Sequence, residues 1–234
     1  MRILCLECSS VSASAAIVED GRTLGADFVK SGLTHSQTLM PMLEKIIKEN
    51  GIDINSVDLF ACTAGPGSFT GVRIGVAAIK GLADAKKKPC FALSTPEVIA
   101  YAHRAFDGIV CSVMDARCSQ VYTACFDGEK RITPDEAILI DELKDRLLSY
   151  KKPILFSGDG AELVYSRLKE LVPDCSIADE TRRYPTAENA AKLCLEKLSD
   201  GEKPVSAHEL LPVYLRVPQA QRELNKKNNI KGDI

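Results

Sequence analysis

The chain opens on three apolar runs separated by turn chemistry. "RILCLEC" (2–8) and "SASAAIV" (12–18) flank a Ser-rich turn, and Asp20-Gly21 leads into "TLGADFV" (23–29), which predicts a three-stranded meander. The period then lengthens. Leu39, Met42, Leu43, Ile46 and Ile47 recur at helical intervals from a Ser36 cap to about Asn50, and Gly51 stops the run. Pro41 falls early in that helix and removes one backbone bond. "VDLFACTA" (57–64) is apolar without alternation, as expected of a strand buried on both faces. A turn from Gly65 to Gly71 feeds a helix to about Ala85. The strand "CFAL" (90–93) follows, then the helix "TPEVIAYAHRAF", with Thr95 as cap and Pro96 in its first position.

From Gly108 the order of elements recurs. "IVCSVMD" (109–115) and "QVYTACF" (120–126) predict a hairpin, a third strand is expected from Arg131 onward, and "DELKDRLLSY" reads as a helix. "PILFSG" (153–158) is a strand ending in a glycine turn. Helices over about 160–172 and 187–199 bracket a short strand near Ser176. No residue-level repeat is visible, yet each half begins with a meander and continues with alternating helices and strands, which implies two α/β layers of similar topology. The expected division is a first lobe over 1–106, a second over 107–205, and a C-terminal segment over 206–234. That last segment is expected to return to the first lobe and to fray over the aromatic-free stretch Arg222 to Ile234.

Composition narrows the function. The net charge of −2 lacks the basic excess of a self-sufficient polyanion binder, so stable nucleic-acid binding by the chain alone is not expected. The short basic clusters, Lys86 to Lys88 among them, read as solvated helix ends and turns. No run approaches the ~18 apolar residues of a membrane span, and the start lacks the longer apolar core of a cleavable signal, so the expected compartment is the cytoplasm. Nine cysteines without regular spacing argue for a reduced chain in which Cys5, Cys8, Cys62, Cys90, Cys111 and Cys125 act as small apolar residues in strands. Cys5 and Cys8 make a C-x-x-C on paper, but an odd offset in a strand sends them to opposite faces. No second pair completes a zinc site.

Several stretches carry a family likeness. "ILCLECSS", "HSQTLMPML", "ACTAGPGSFTGVRIGVAAIKGLA", "LSTPEVIAYA", "VMDARCSQVY" and "PVYLR" resemble the bacterial TsaB (YeaZ) family, over roughly residues 3 to 216. The resemblance implies an α/β, actin-like ASKHA fold: two duplicated lobes, each with a βββαβα-type core, around a cleft. It also implies a non-catalytic subunit in threonylcarbamoyladenosine synthesis on tRNA. Such a subunit binds a TsaD-like catalytic partner through the first two helices, with a TsaE-like ATPase and ATP completing the assembly. The family's first strand usually ends in Asp-Thr-Ser, and here the residues are Glu7-Cys8-Ser9. The catalytic relatives carry two histidines four residues apart on the helix after the fourth main strand. That helix here has only His103, at its far end, while His35 and His208 stand alone, so no metal site is expected.

Weighed residue by residue, no catalytic group is expected. The weak nucleotide candidates are Glu7, Ser9 and Ser10 with Gly65 and Gly67. Against a nucleotide role stands the ordinary reading, in which Ser9 to Ser12 satisfy turn amides and Glu7 caps or pairs at a strand end. Any ATP or ADP is expected only at an interface shared with a partner. Ser68 and Thr70 lack the G-x-S-x-G setting of a hydrolase nucleophile. Asp115 and Arg117 are expected to fix a hairpin by a salt bridge.

The glycine turn therefore poses a choice between a phosphate cradle and a tight entry to a docking helix. Docking is the expectation, with Leu39, Met42, Leu43 and Ile46 of one helix and Val72, Val76, Ile79 and Lys80 of the other as contact residues. Such a pair buries ~800 Å² per side, enough for a standard interface with the catalytic subunit or with a second copy. On this view a charge at Leu43 or Val76 leaves the isolated fold largely intact. The rival expectation is a stand-alone ASKHA ATPase or small-molecule kinase using Glu7.

Overall fold

The computed structural model describes residues 1–32 and 34–217 and contains two sheets. In the first, β1 (Arg2–Glu7), β2 (Ala13–Glu19) and β3 (Arg22–Val29) form the antiparallel meander. Strands β4 (Leu59–Gly65) and β5 (Cys90–Ser94) add in parallel, giving the order β3-β2-β1-β4-β5. The second sheet contains β6 (Ile109–Asp115), β7 (Gln120–Asp127), β8 (Lys130–Arg131), β9 (Glu136–Leu139), β10 (Ile154–Ser157) and β11 (Cys175–Ile177). Its order, β8-β7-β6-β10-β11 with β9 also on β7, repeats the first sheet strand for strand. The third strand expected from Arg131 is split into two short pieces, with Pro134 between them unable to donate to the ladder.

Helices α1 (His35–Glu49) and α2 (Phe69–Lys86) cover one face of the first sheet, and α4 (Ile140–Tyr150) and α5 (Ala161–Leu168) cover the matching face of the second. The remaining two helices cross over. α6 (Ala187–Ser199) comes from the second half of the chain, yet it packs Ala187, Ala190, Ala191 and Cys194 beneath β1 and β2 of the first sheet. Its alanines admit close approach to the strands. In return, α3 (Thr95–Tyr101) sets Ala100 against Val110, Ala124 and Phe126 of the second sheet. The division at 106/107 is therefore crossed in both directions. β1 is sandwiched, with Leu4 and Leu6, and Cys8 just past its end, toward α1 and α2 and Ile3 and Cys5 toward α6. The two thiols of the C-x-x-C thus occupy opposite faces, as a period of two requires.

The helix starts differ in detail from the sequence expectation. Thr34, not Ser36, precedes α1 and makes no side-chain cap, while Ser94 Oγ, not Thr95, accepts the Glu97 N–H at 3.3 Å. Thr95 Oγ1 is buried without a partner, and α3 ends at Tyr101.

The chain after α6 returns to the first lobe. Val205 bridges Cys90 through paired backbone bonds of 2.7 and 2.8 Å, Ala207 and Leu210 enter the core under α2, and the Val213 N–H donates to Ala64 at 2.7 Å. The stretch Arg222 to Ile234, expected to fray, lies outside the described residues.

Candidate functional site

Seven of the eight docking residues are corrected by burial. Leu39, Met42, Leu43, Ile46, Val72, Val76 and Ile79 are between 0 and 7% exposed and sit in the chain's own core beneath the first sheet. The reason is that α2 is apolar on more than one side, so its period alone does not choose which stripe the sheet takes. The sheet takes the larger side chains. The eighth, Lys80, is half-buried, and its Nζ donates to the carbonyls of His208 (3.3 Å) and Leu210 (3.0 Å) in the returning strap. What α2 leaves to solvent is Thr70, Arg73, Ala77, Gly81, Asp84 and Ala85, with Ile74 half-covered. α1 offers Met40 and Pro41 amid Gln37, Glu44, Lys45 and Lys48. Arg73 lies over the Phe69 ring, 3.8 Å from its centroid, and donates to Tyr214 Oη at 2.7 Å.

The glycine turn packs against backbone. A Cβ on Gly67 would overlap the Ser9 carbonyl, and one on Gly71 the Cys8 carbonyl. The Ser68 N–H, which a phosphate cradle would present to its ligand, donates to Ser9 O at 2.7 Å. Gly71→Ala is accordingly expected to lose about 1–3 kcal/mol of stability or more. Gly81→Ala is the control: it meets nothing within 4 Å and should gain about 0.5–1 kcal/mol. Urea midpoints of the two variants check both signs.

Glu7 ends β1 in complete burial. Its Oε1 accepts the Ser9 N–H at 2.7 Å, the Ser9 hydroxyl and, at 3.3 Å, the Thr63 hydroxyl, while Oε2 has no partner. Burial outweighs these bonds and pushes the carboxyl up to about 7. Ser10 and Ser12 share a hydroxyl contact of 2.9 Å, and the Ser12 N–H donates to Ser10 Oγ, so both hydroxyls serve their own turn. The Nε2–H of His35 ties the start of α1 to Ser10 O at 2.9 Å. His103 is buried elsewhere, donating toward Ser157 Oγ and Arg182 O, and desolvation lowers its pKa. His208 is exposed. Among the described residues no three His, Cys, Asp or Glu side chains gather as a metal site, and no helix is long and apolar enough to cross a membrane.

A cleft of about 580 Å³ opens between the lobes, where β1 and β4 of one sheet and β6 and β10 of the other end. Ser10 and Val11 of the β1–β2 turn, Gly67 and Ser68, Asp115 and Arg117 of the β6–β7 turn, Asp159, and the strap from Val213 to Val217 line it. Gly65, bonded to Pro66 by a cis peptide, lies just behind, with the Val213 carbonyl where its Cβ would be. Arg117 and Asp115 do pair, at 3.4 Å, but the arginine is 76% exposed and such a pair contributes little. The hairpin is held more firmly by the Arg117 N–H to Asp115 Oδ1 at 2.7 Å and the Ala116 N–H to Gln120 O at 3.0 Å. Arg117, Cys118 and Ser119 are all left-handed, with φ of 63, 55 and 58°.

Asp159 escaped the sequence reading, and Tyr214 and Arg216, whose Nη1 donates to Ala116 O at 2.8 Å, entered it only as letters of the family-like "PVYLR" with no role given. The available signal for the first was an acid between two glycines at a strand end, "SGDG" (157–160).

Two duplicated lobes with exchanged helices around such a cleft define an actin-like protein of the ASKHA class. A family model described as TsaD, tRNA N6-adenosine threonylcarbamoyltransferase, matches residues 30–223. The chain belongs to the TsaB (YeaZ) family, within the TsaD-like proteins this model describes. It is 29% identical over 234 residues to tRNA threonylcarbamoyladenosine biosynthesis protein TsaB of Escherichia coli (strain K12), covering 97% of this chain and 100% of that one. With the protein of the same name from Bacillus subtilis (strain 168) it shares 26% over 226 residues, covering 94 and 96%. The solved YeaZ of Pseudomonas aeruginosa superposes with a TM-score of 0.75 at 27% identity, over 92% of this chain and 99% of that one.

Proposed function

We propose that this chain is an accessory subunit in the formation of threonylcarbamoyladenosine on tRNA, at the adenosine next to the anticodon. It docks on a TsaD-like catalytic subunit and holds it in a competent conformation, with no chemistry of its own. The observation that carries the docking site is the solvent side of α2, where Thr70, Ile74, Ala77, Gly81 and Ala85 form a small-residue strip, with Arg73 and Asp84 as its charged members, beside Met40 and Pro41 of α1. Small side chains let a partner helix approach the backbone closely, and ridge-in-groove packing then needs no long side chains from this chain. A TsaE-like ATPase completes the assembly on this reading, and the near-neutral chain leaves tRNA binding to its partners. A stand-alone kinase or ATPase would need the Ser68 N–H and Glu7 open to a nucleotide, whereas the first is spent on Ser9 and the second is sealed from solvent.

The test is Ala77→Glu in co-purification with a TsaD-like protein and in reconstituted tRNA modification. The expected result is a complex at least about tenfold weaker and a matching loss of modification, since a charge then faces an apolar contact. Wild-type complex and modification levels would remove α2 from the interface. A second copy docking on the same faces would compete, and sedimentation of the isolated chain reads that directly.

A further inference from the structure

The chain after α6 runs along the exposed flank of α2. Lys80 Nζ donates to the carbonyls of His208 and Leu210 at 3.3 and 3.0 Å, and Arg73 Nε donates to Tyr214 Oη at 2.7 Å. Arg73 and Lys80 lie two helical turns apart, about 10 Å along one stripe of α2, with Ala77 between them. The strap from Leu210 to Tyr214 therefore passes beside the solvent side of α2, antiparallel to the helix. It is fixed at both ends of this path, by the Val205–Cys90 bridge and by the Val213 N–H to Ala64 O at 2.7 Å. The side chains it brings to α2 are apolar and uncovered. Leu211 is 64% exposed and Val213 46%, and no charged residue falls between Glu209 and Arg216. The Tyr214 ring lies 4.8 Å from that of Phe69, under the same Arg73 guanidinium. A tyrosine and an arginine that hold each other before binding lose little freedom on docking.

A standard interface takes about 800 Å² and about 20–30 residues from each side. With the large apolar residues of α1 and α2 spent on the core, the strip they leave falls short of that. Ala77, Gly81 and Ala85 have no side chain beyond Cβ, and only Met40, Pro41 and the half-covered Ile74 add apolar bulk. We propose that the strap is the third element of the docking surface, so that the TsaD-like catalytic subunit seats on α1, α2 and the strap together. Leu211 and Val213 are its apolar contacts, and Arg73 with Tyr214 is a preformed anchor. This rests on the docking proposed for α1 and α2 and supplies the area that those helices lack. A partner helix laid along Ala77 and Gly81 meets the strap over the two turns from Arg73 to Lys80, which is why the same partner takes both.

The experiment is calorimetric titration of a TsaD-like protein with the full chain, its Leu211→Asp variant and, for comparison, Ala77→Glu. Leu211→Asp should bind at least about tenfold more weakly, since a charge then faces an apolar contact, while its thermal melt matches wild type because the side chain is exposed. Val213→Asp takes its place if the melt shifts. Leu171→Asp, equally apolar and 54% exposed but in the other lobe, should bind as wild type does. Wild-type affinity for the strap variant with Ala77→Glu still disruptive would overturn the role of the strap and leave docking on α2 standing. Disruption by Leu211→Asp with none by Ala77→Glu would overturn the continuous surface along with α2, and an equal loss for Leu171→Asp would show that the effect is not local and overturn it too. A homodimer split by Leu211→Asp in sedimentation, while the heterocomplex holds, would give the strap to a second copy instead. A heterocomplex at least about tenfold tighter on removal of residues 218–234 would give it to the chain's own C-terminal stretch; either result overturns the proposal.

Discussion

Leu43→Asp is expected to unfold the isolated chain, while Ala77→Glu on the neighbouring helix leaves its thermal transition in place. Leu43 is 2% exposed and packs among Leu39, Ile46, Val76 and the strand residues Leu4, Leu6 and Ile17 of the same core. Truncating such a leucine alone costs about 2–5 kcal/mol. The introduced carboxylate adds the cost of an unpaired buried charge, or of the proton uptake that avoids it. Together these approach the ~5–15 kcal/mol that holds a domain of this kind folded. Val76, at 4% exposure, should behave alike, so the tolerance expected of both positions from sequence does not survive the structure. Circular dichroism melts of the two variants decide the point. A cooperative, near-wild-type melt for Leu43→Asp would mean that α1 is not seated as described.

The second large effect is a stability that declines as pH rises. Glu7 holds its proton up to about 7 in the folded chain against 4.5 for a free side chain. Its folded pKa is therefore the higher of the two. The stabilisation linked to the proton is complete below the unfolded value and is lost as pH climbs through the folded one. Relative to Glu7→Gln, which cannot titrate, the wild type should lose about 3 kcal/mol between pH 4 and pH 8. Asp159 acts with the same sign at lower pH, from 3.8 to about 6, but it is present in both proteins and cancels in the difference. Denaturant midpoints at four or five pH values measure the slope. A difference independent of pH would show that Glu7 titrates alike in the folded and unfolded chain, and one that rises with pH would show that it stays ionised inside the fold.

These two cases mark what was legible in the residues. The meander, the α1 period, the buried run of β4 and the recurrence after Gly108 all follow from local patterns, and each appears where the pattern places it. Even the opposed thiols of Cys5 in β1 and Cys8 just beyond it follow from a period of two. The recurrent order made the duplicated topology readable, although β8 and β9 divide one strand's role. The exchange of α3 and α6 was not readable. An alanine-rich helix period fits the back of either sheet, and only the assembled lobes bring Ala190 and Ala191 to Ile3 and Cys5.

The candidate site divides along the same line. The amino-acid order by itself set which segments are strands and helices, where glycine permits two backbones to touch, and that no basic surface dominates. Each of these is decided by a residue and its near neighbours. Which stripe of α2 faces water, how deeply Glu7 is sealed, and that the carboxylate of Asp159 meets the Asp115 amide were decided only by the packed chain. Val11, Asp115 and Asp159 come from three separate turns, and their gathering around one cleft is a property of how the two sheets close on each other, to which no local periodicity is sensitive.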